Sequence, residues 1–194
     1  MTGRKIFNFG YPIIMGLSFF LKILPKKINI FLFQISSGLP TFIGIGIRYI
    51  ILVAICKKIG KNVYIGRWCT IKNPQNMIIG NNVSIHENCY IDAIGGLIIS
   101  DNTSIAHNCS LLTFTHNYSS NKTPIKYQKI STNPITIKEN VWVGCGVRIL
   151  NGVTINNRTI VGANSVVNKN IGPGIYAGVP TKKSRSYNEA IILP

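Results

Sequence analysis

The sequence predicts an all-β solenoid, a coil of very short parallel strands, and three spacings carry this prediction. β-Branched residues recur every six positions in the C-terminal half, and small or β-branched residues follow each of them four positions later. Neither a helix nor an ordinary amphipathic strand repeats at six, whereas a solenoid with tight corners does. The residues at the six-residue spacing are Ile137, Val143, Ile149, Ile155, Val161 and Val167.

The third spacing predicts how many strands make one coil. The six-residue period continues backwards from Leu111 to Ile65, but two extra residues enter at every third step, so that Ile71, Ile91 and Leu111 lie 20 residues apart. Extra residues that always enter at the same step indicate one corner of a triangular prism. We therefore expect three strands per coil between Ile65 and Val167.

A long loop is predicted at the same corner. The gap from Leu111 to Ile137 is the longest in the array, and it contains His116. We expect residues 112–136 to leave the prism there as an irregular segment. Long excursions from a rigid scaffold more often carry function than not.

Four segments resemble the hexapeptide-repeat acyltransferases, in particular the galactoside, maltose and nodulation O-acetyltransferases and their relatives in surface-polysaccharide biosynthesis. The resemblance covers about residues 60–185 and implies a left-handed parallel β-helix. It also implies acetyl-CoA as acyl donor, no metal, and a homotrimer with active sites between subunits. The segments that carry it are Ile85–Asp92, Leu111–Asn117, Asn140–Gly144 and Tyr176–Pro180.

The charge balance predicts an anionic partner. The 194 residues carry 21 Lys and Arg against five Asp and Glu, a formal net charge of +16. A polyphosphate cofactor, a lipid surface or a nucleic acid would suit this charge. Aromatic residues are not interleaved with the basic ones in a pattern that reads bases, so we expect no nucleic acid.

The five cysteines favour a reducing compartment. Cys69, Cys89 and Cys109 are 20 residues apart and should stack inside the prism as small buried residues. No Cys-x-x-Cys pair occurs, so zinc is not expected. The odd count and the lack of a cleavable leader predict a cytoplasmic protein.

The chain divides into residues 1–60, expected to be helical, residues 61–180 as the solenoid, and a basic tail over residues 181–194. The first part holds two apolar runs, Tyr11–Leu24 and Leu39–Cys56, the second interrupted by Arg48. One interpretation is one or two helices lying on the inner face of the plasma membrane through residues 1–58, with Lys and Arg among the head groups. The other is a cap over the first coil. Both can hold together.

His116 is the candidate catalytic base. Acetyl transfer from a thioester to an alcohol needs a base for the hydroxyl, and histidine is the usual one. His86 and His107 fall within regular repeats, where solvated side chains are expected, whereas His116 stands in Thr-His-Asn at the start of the loop. The resemblance places the family's catalytic histidine there.

Asn88 and Asp92 are candidate substrate-binding residues. The resemblance implies that Asn88 contacts the acceptor, although a structural ladder of stacked asparagines with Asn108, 20 residues later, is an open alternative. Asp92 could hold the acceptor or orient the histidine.

The resemblance also implies the coenzyme site. Trp142 would lie along the pantetheine groove, small residues would let the ligand approach the coil, and basic residues would meet the phosphates. For the basic residues, the alternative is that they form a solvated surface that contacts no ligand. Lys182 stands where relatives often carry Arg. The implied residues are Trp142, Gly144, Cys145, Gly162, Ala163, Lys169, Lys182 and Arg185.

Together these features predict an acetyl-CoA-dependent O-acetyltransferase that acts on a sugar hydroxyl of a surface glycan (capsule, lipopolysaccharide O-antigen or exopolysaccharide) or of its precursor. One alternative is an amino-sugar N-acetyltransferase, which would work with a weaker base. The other is a non-catalytic basic β-solenoid that binds anionic polymers.

Overall fold

The structure is a computed structural model that describes the backbone of residues 3–185 and the side chains of residues 10–184. Three helices precede a coil of parallel strands, and a strand hairpin projects from the coil. The helices are α1 (Gly3–Ile23), α2 (Lys26–Ser36) and α3 (Thr41–Ile55).

Three parallel sheets form the sides of the coil, and the chain visits them in a fixed order. The first sheet holds β1 (Lys58–Ile59), β4 (Met77–Ile79), β7 (Leu97–Ile99), β12 (Ile135–Ile137) and β15 (Thr154–Ile155). The second holds β2 (Tyr64–Ile65), β5 (Ser84–Ile85), β8 (Ser104–Ile105), β13 (Trp142–Val143), β16 (Thr159–Val161) and β18 (Gly174–Ala177). The third holds β3 (Thr70–Lys72), β6 (Tyr90–Asp92), β9 (Ser110–Leu112), β14 (Arg148–Ile149) and β17 (Val166–Val167).

This succession agrees with the prediction of three strands per coil. Residues at the six-residue spacing pair in register with their counterparts on neighbouring coils, as Ile65 does with Ile85 and Ile85 with Ile105. Their side chains are fully buried. Strands in a sheet lie about 4.8 Å apart, so each buried residue meets a similar residue above and below it. The core is therefore a set of apolar columns along the coil.

The predicted cysteine column lies inside the coil. Cys69, Cys89 and Cys109 are buried. Each thiol donates to a carbonyl of the next coil, with sulfur–oxygen distances of 3.1, 3.2 and 3.1 Å to His86, Ala106 and Gly144. The thiols thus act as small buried groups that satisfy backbone acceptors.

Asparagine forms the corner between the first and second sheets. Asn62, Asn82 and Asn102 adopt left-handed φ angles of 56°, 54° and 57°, which asparagine tolerates better than most residues. Their side-chain amides bond to one another from coil to coil, at 2.9 and 3.1 Å. We call these three residues the closed asparagine column, because each amide partner comes from the same column.

The excursion leaves at the corner between the third and first sheets, as the spacing predicts, but it is not irregular. β10 (Phe114–His116) pairs antiparallel with β11 (Ile130–Thr132), and a 3₁₀ turn, Ile125–Tyr127, lies between them. The expectation of an unstructured loop is therefore wrong. The six-residue period could not indicate this hairpin, because its two strands belong to no sheet of the coil.

The last strands close the C-terminal end of the coil. β18 adds a strand to the second sheet beside β16, and β19 (Lys182–Arg185) folds back antiparallel on β18. A returning antiparallel strand covers the last parallel edge, which would otherwise expose unpaired backbone groups. Residues 186–194 of the predicted tail lie outside the described residues.

The helices cap the first coil. Tyr49, Leu52 and Ile55 of α3 are buried in one cluster with Val63 and Ile65 of the coil. Residues 1–60 are helical as expected, but they hold three helices rather than one or two, because α2 lies between the two apolar runs. Capping hides the open backbone edge of the first strands.

Arg48 locks this cap in place. Its side chain is 1% exposed. The guanidinium Nε donates to Ile65 O at 3.0 Å and Nη1 donates to Leu39 O at 2.9 Å. Burial lowers the pKa of this guanidinium, but arginine keeps its charge in proteins. The expectation of basic side chains among lipid head groups is therefore wrong for Arg48, which joins the turn before α3 to the first coil.

Candidate active site

His116 ends β10, opposite Ile130 in the hairpin. Its side chain is exposed, and its ring meets Phe114 edge-on with 6.2 Å between ring centroids. The neighbouring Asn117 is fixed by a bond from Ser131 Oγ to its Oδ1 at 2.5 Å. The hairpin therefore presents an accessible imidazole from a hydrogen-bonded support, which suits proton transfer with an approaching ligand.

Asp92 holds the corner from which the hairpin leaves. Its carboxylate Oδ1 accepts from Asn73 Nδ2 at 2.8 Å and from the backbone of Ile94 at 3.2 Å. Its carbonyl accepts from Thr113 Oγ1 at 2.7 Å. Among the residues described, no hydrogen bond joins Asp92 to His116. These contacts position the start of the hairpin. Asp92 therefore has a structural role in addition to any contact with substrate.

A second asparagine column lies at the corner between the second and third sheets. Asn88, Asn108 and Asn164 have left-handed φ angles of 59°, 59° and 56°. Their backbone N–H groups bond to the coil below, as in Asn108 N to Glu87 O at 3.0 Å. Within the described part of the chain their side-chain amides have no hydrogen-bond partner. We call these three residues the open asparagine column. A ladder joining Asn88 to Asn108 is therefore absent.

A cleft of about 560 Å³ opens along this column. It brings Asn88 together with Cys145, two residues that the resemblance assigns to the acceptor and the coenzyme, but His116 does not line it. Sequence reasoning assigned none of the other six lining residues to a site; His107 and Arg148, for instance, each occupy an ordinary outward position in a repeat. The lining residues are Asn88, His107, Asn108, Ser110, Cys145, Gly146, Arg148 and Asn164.

The second sheet carries the other candidate coenzyme residues. Trp142 is 54% exposed and lies between Ser104 and Ile160 on the sheet surface. Coil stacking by itself explains the glycine at position 144, since a Cβ there would lie 2.7 Å from both Val161 O and Ala163 N. Close stacking of the coils therefore requires glycine at this position, whether or not a ligand approaches.

The remaining small residues lie one coil further along. A Cβ on Gly162 would come within 3.0 Å of Ala177 Cβ, so coil stacking also restricts this position. Ala163 is exposed at the corner between the second and third sheets.

The basic candidates lie near the C-terminal end of the coil. Lys182 is exposed in β19, opposite Ala177. Lys169 is exposed after β17, at the corner between the third and first sheets. Arg185 pairs through its backbone with Ile175, and its side chain lies outside the described residues. The structure thus brings Lys182 and Trp142 to one sheet and separates Lys169 from them.

The side chain of His86 is 43% exposed and lies beside Tyr64 and Glu87. The Tyr64 hydroxyl donates to Glu87 Oε1 at 2.5 Å, and His86 Nδ1 lies 3.8 Å from Glu87 Oε2. The Tyr64 hydrogen bond lowers the pKa of Glu87. Burial and the same bond raise the pKa of Tyr64 to about 12. The Glu87 carboxylate is thereby held by Tyr64 on the second-sheet side of the corner.

A family model, the bacterial transferase hexapeptide (six repeats), matches residues 134–169. This match lies on β12 to β17, where the six-residue period is unbroken. The resemblance to the hexapeptide-repeat acyltransferases is confirmed.

Two relatives from Escherichia coli match part of this chain. A galactoside O-acetyltransferase is 47% identical over 57 residues, which cover 29% of this chain and 28% of the relative. A putative lipopolysaccharide biosynthesis O-acetyl transferase is 37% identical over 79 residues, covering 39% of this chain and 40% of the relative. This chain thus matches less than half the length of either relative.

The likeness to a solved structure extends further along the chain. A galactoside acetyltransferase in complex with coenzyme A superposes with a TM-score of 0.75 and 29% sequence identity, over 84% of this chain and 80% of that one. The relatives and this neighbour are acetyltransferases, and the neighbour binds coenzyme A. This chain therefore resembles a coenzyme-binding acetyltransferase in its architecture.

Proposed function

We propose that this protein is an acetyl-CoA-dependent O-acetyltransferase that acts on a sugar hydroxyl of a surface glycan or of its precursor. The likeness over four fifths of its length to a galactoside acetyltransferase bound to coenzyme A carries this proposal. The relative named for lipopolysaccharide biosynthesis supports a glycan acceptor. The same likeness supports a left-handed coil.

The proposed reaction is a direct transfer. His116 takes the proton of the acceptor hydroxyl while the hydroxyl oxygen attacks the thioester carbonyl carbon. A backbone N–H at the coil edge stabilises the oxyanion. The carbon–sulfur bond then breaks, the acetyl group remains as an ester on the sugar, and the coenzyme leaves with a proton as the free thiol.

A homotrimer would complete the site. The His116 hairpin leaves the coil at the corner between the third and first sheets, whereas the cleft beside Asn88 opens at the corner between the second and third sheets. His116 does not line that cleft. We propose that the hairpin of one chain meets the cleft of a neighbouring chain. Sedimentation as a monomer at micromolar concentration would contradict this assembly.

A thiol-release assay tests the activity. Acetyl-CoA and a panel of neutral, acidic and amino sugars are supplied, and mass spectrometry locates the acetyl group on the product. Ester products support the proposal, and amide products would indicate the N-acetyltransferase alternative. Absence of both transfer and acetyl-CoA binding would favour the non-catalytic solenoid.

Lys182 is proposed to contact the coenzyme phosphates, and Lys182→Ala should raise the KM for acetyl-CoA by about 5–10-fold. An ammonium–phosphate contact of this kind contributes about 1–1.5 kcal/mol, and added salt should narrow the difference. Lys138→Ala is the matched control, since Lys138 is also exposed but lies at the corner between the first and second sheets, away from β19. Equal KM values for the two variants would mean that Lys182 does not contact the coenzyme and is only a solvated surface charge.

The helical cap is proposed to contact an anionic membrane as well as the coil. Large apolar side chains remain exposed on all three helices, including Phe19 at 65%, Phe31 at 59% and Phe42 at 73%. No Asp or Glu occurs in residues 1–60. Apolar patches beside cationic residues are typical of helices that lie on anionic bilayers. Among the described residues, no helix is both long and apolar enough to cross a membrane.

Flotation with phosphatidylglycerol-containing vesicles measures this contact. The double variant Phe31→Gln/Phe42→Gln should lower the partition coefficient by at least about tenfold, because each buried phenylalanine contributes about 1.5–3 kcal/mol. Tyr127→Gln, which removes a 72% exposed aromatic from the hairpin, is the control. Recovery of the unaltered protein in the soluble fraction would leave the helices with the capping role alone.

A further inference from the structure

The two asparagine columns share residue type, backbone conformation and spacing but differ in their hydrogen bonds. In the closed column, Asn62, Asn82 and Asn102 satisfy one another. In the open column, Asn88 and Asn108 are also 20 residues apart, yet their amides have no partner among the described residues. The open column lines a cleft, so it presents a row of unsatisfied amides to a ligand.

The backbone behind these amides is rigid. Asn88 N bonds to Arg67 O at 3.0 Å, and Asn164 N bonds to Cys145 O at 2.8 Å. Gly146 keeps the column continuous with a φ of 70°, and a Cβ there would collide with Asn164 Oδ1. Side chains on such a support lose little backbone freedom when they bind a ligand.

Arg148 adds a guanidinium that is only partly engaged. Its Nη1 donates to Asn108 O and to Gly146 O, both at 2.8 Å. Within the described part of the chain, its Nε and Nη2 have no hydrogen-bond partner, and the side chain is exposed. One nitrogen therefore anchors the group, and the other two remain available as a fork for an anion.

No carboxylate competes for that fork within the cleft. Four of the five acidic residues are described, and none lines the cleft. Glu87, which precedes Asn88, is held by Tyr64. Asp101 accepts from Asn81 at 2.8 Å, and Glu189 lies outside the described residues. His107 adds a further donor to the lining.

We propose that this cleft is a subsite for an anionic saccharide, with a carboxylate or phosphate on the Arg148 fork and sugar hydroxyls on the open asparagine column. This inference rests on the proposed function and assigns its acceptor to the acidic sugars. An unpaired guanidinium fork matches two oxygens of an anion. Amides, which both donate and accept, suit neighbouring hydroxyls.

Direct binding of D-glucuronate, glucose 6-phosphate and D-glucose to the full-length protein tests the inference, by calorimetry without acetyl-CoA. The unaltered protein should bind at least one anionic sugar at least about tenfold more tightly than glucose, as expected for hydrogen bonds to a charged group. The two anionic probes distinguish carboxylate from phosphate. Arg148→Gln should abolish the preference, while the KM for acetyl-CoA stays within about twofold, since Arg148 is not expected to meet the coenzyme.

Two further variants keep the test decisive. Asn108→Asp places a carboxylate in the cleft without removing a described side-chain hydrogen bond, and it should weaken the binding of anionic sugars at least about fivefold more than the binding of glucose. Arg67→Gln removes an exposed arginine outside the cleft and should change nothing. Equal binding of charged and neutral sugars, or an unchanged preference in both cleft variants, would overturn the subsite. Because binding is measured without turnover, failure of acetyl transfer would contradict only the proposed function.

Discussion

Replacing His116 with alanine should lower turnover by about 10²–10⁴-fold, the usual contribution of a positioned general base. The KM for acetyl-CoA should hardly change, because the residues expected to hold the coenzyme lie on other coils.

Steady-state kinetics with the best acceptor from the sugar panel provides the measurement. His86→Ala is the control, because His86 packs beside Tyr64 and Glu87, away from the hairpin. It should retain most of the activity. A His116→Ala enzyme with turnover within about threefold of the parent, against the expected range, would show that another group takes the proton or that the acceptor is an amine.

Replacing Arg48 with methionine should markedly lower the stability of the fold. Methionine fills similar space but leaves the carbonyls of Ile65 and Leu39 without their buried donor. A buried acceptor that loses its donor costs about 1–3 kcal/mol, so the two carbonyls together should cost at least about 2 kcal/mol. For a chain of this size, that loss lowers Tm by at least about 4 °C.

Thermal unfolding and limited proteolysis measure this effect. Proteolysis should release the helices before it cuts the coil, because Arg48 joins the turn between α2 and α3 to the first coil. Lys57→Met removes an exposed cation close by and should leave Tm within about 1 °C, as surface changes usually do. Equal melting temperatures for the two variants would mean that apolar packing alone holds the cap.

The coil could be predicted because its core repeats along the sequence. Every buried position, such as Ile85 or Val143, has a counterpart one coil away, so the period itself reports which residues point inward. The hairpin could not be predicted, since β10 and β11 pair only with each other. Residues 1–60 were expected to be helical, but α2 was not predicted as a separate helix, because it lies between the two apolar runs and begins at two exposed lysines.

The site was predicted in pieces, and only the structure grouped them. The unusual position of His116 could be read from the longest gap in the array, and the resemblance indicated Asn88 and Cys145. His107 and Arg148 occupy outward positions that any polar residue can fill. That both line one cleft depends on how neighbouring coils align at a corner.

By itself, the sequence determined the three-sided coil, the inward columns and the corner at which the excursion leaves, because these follow from a short period and from burial. The tertiary structure alone decided which asparagines are structural. Asn62 and Asn82 are spaced as Asn88 and Asn108 are, yet one pair bonds through its amides and the other faces a cleft. Spacing along the chain sets the height of a residue in the coil, whereas a hydrogen bond depends on the direction of each side chain, which only the packed corner fixes.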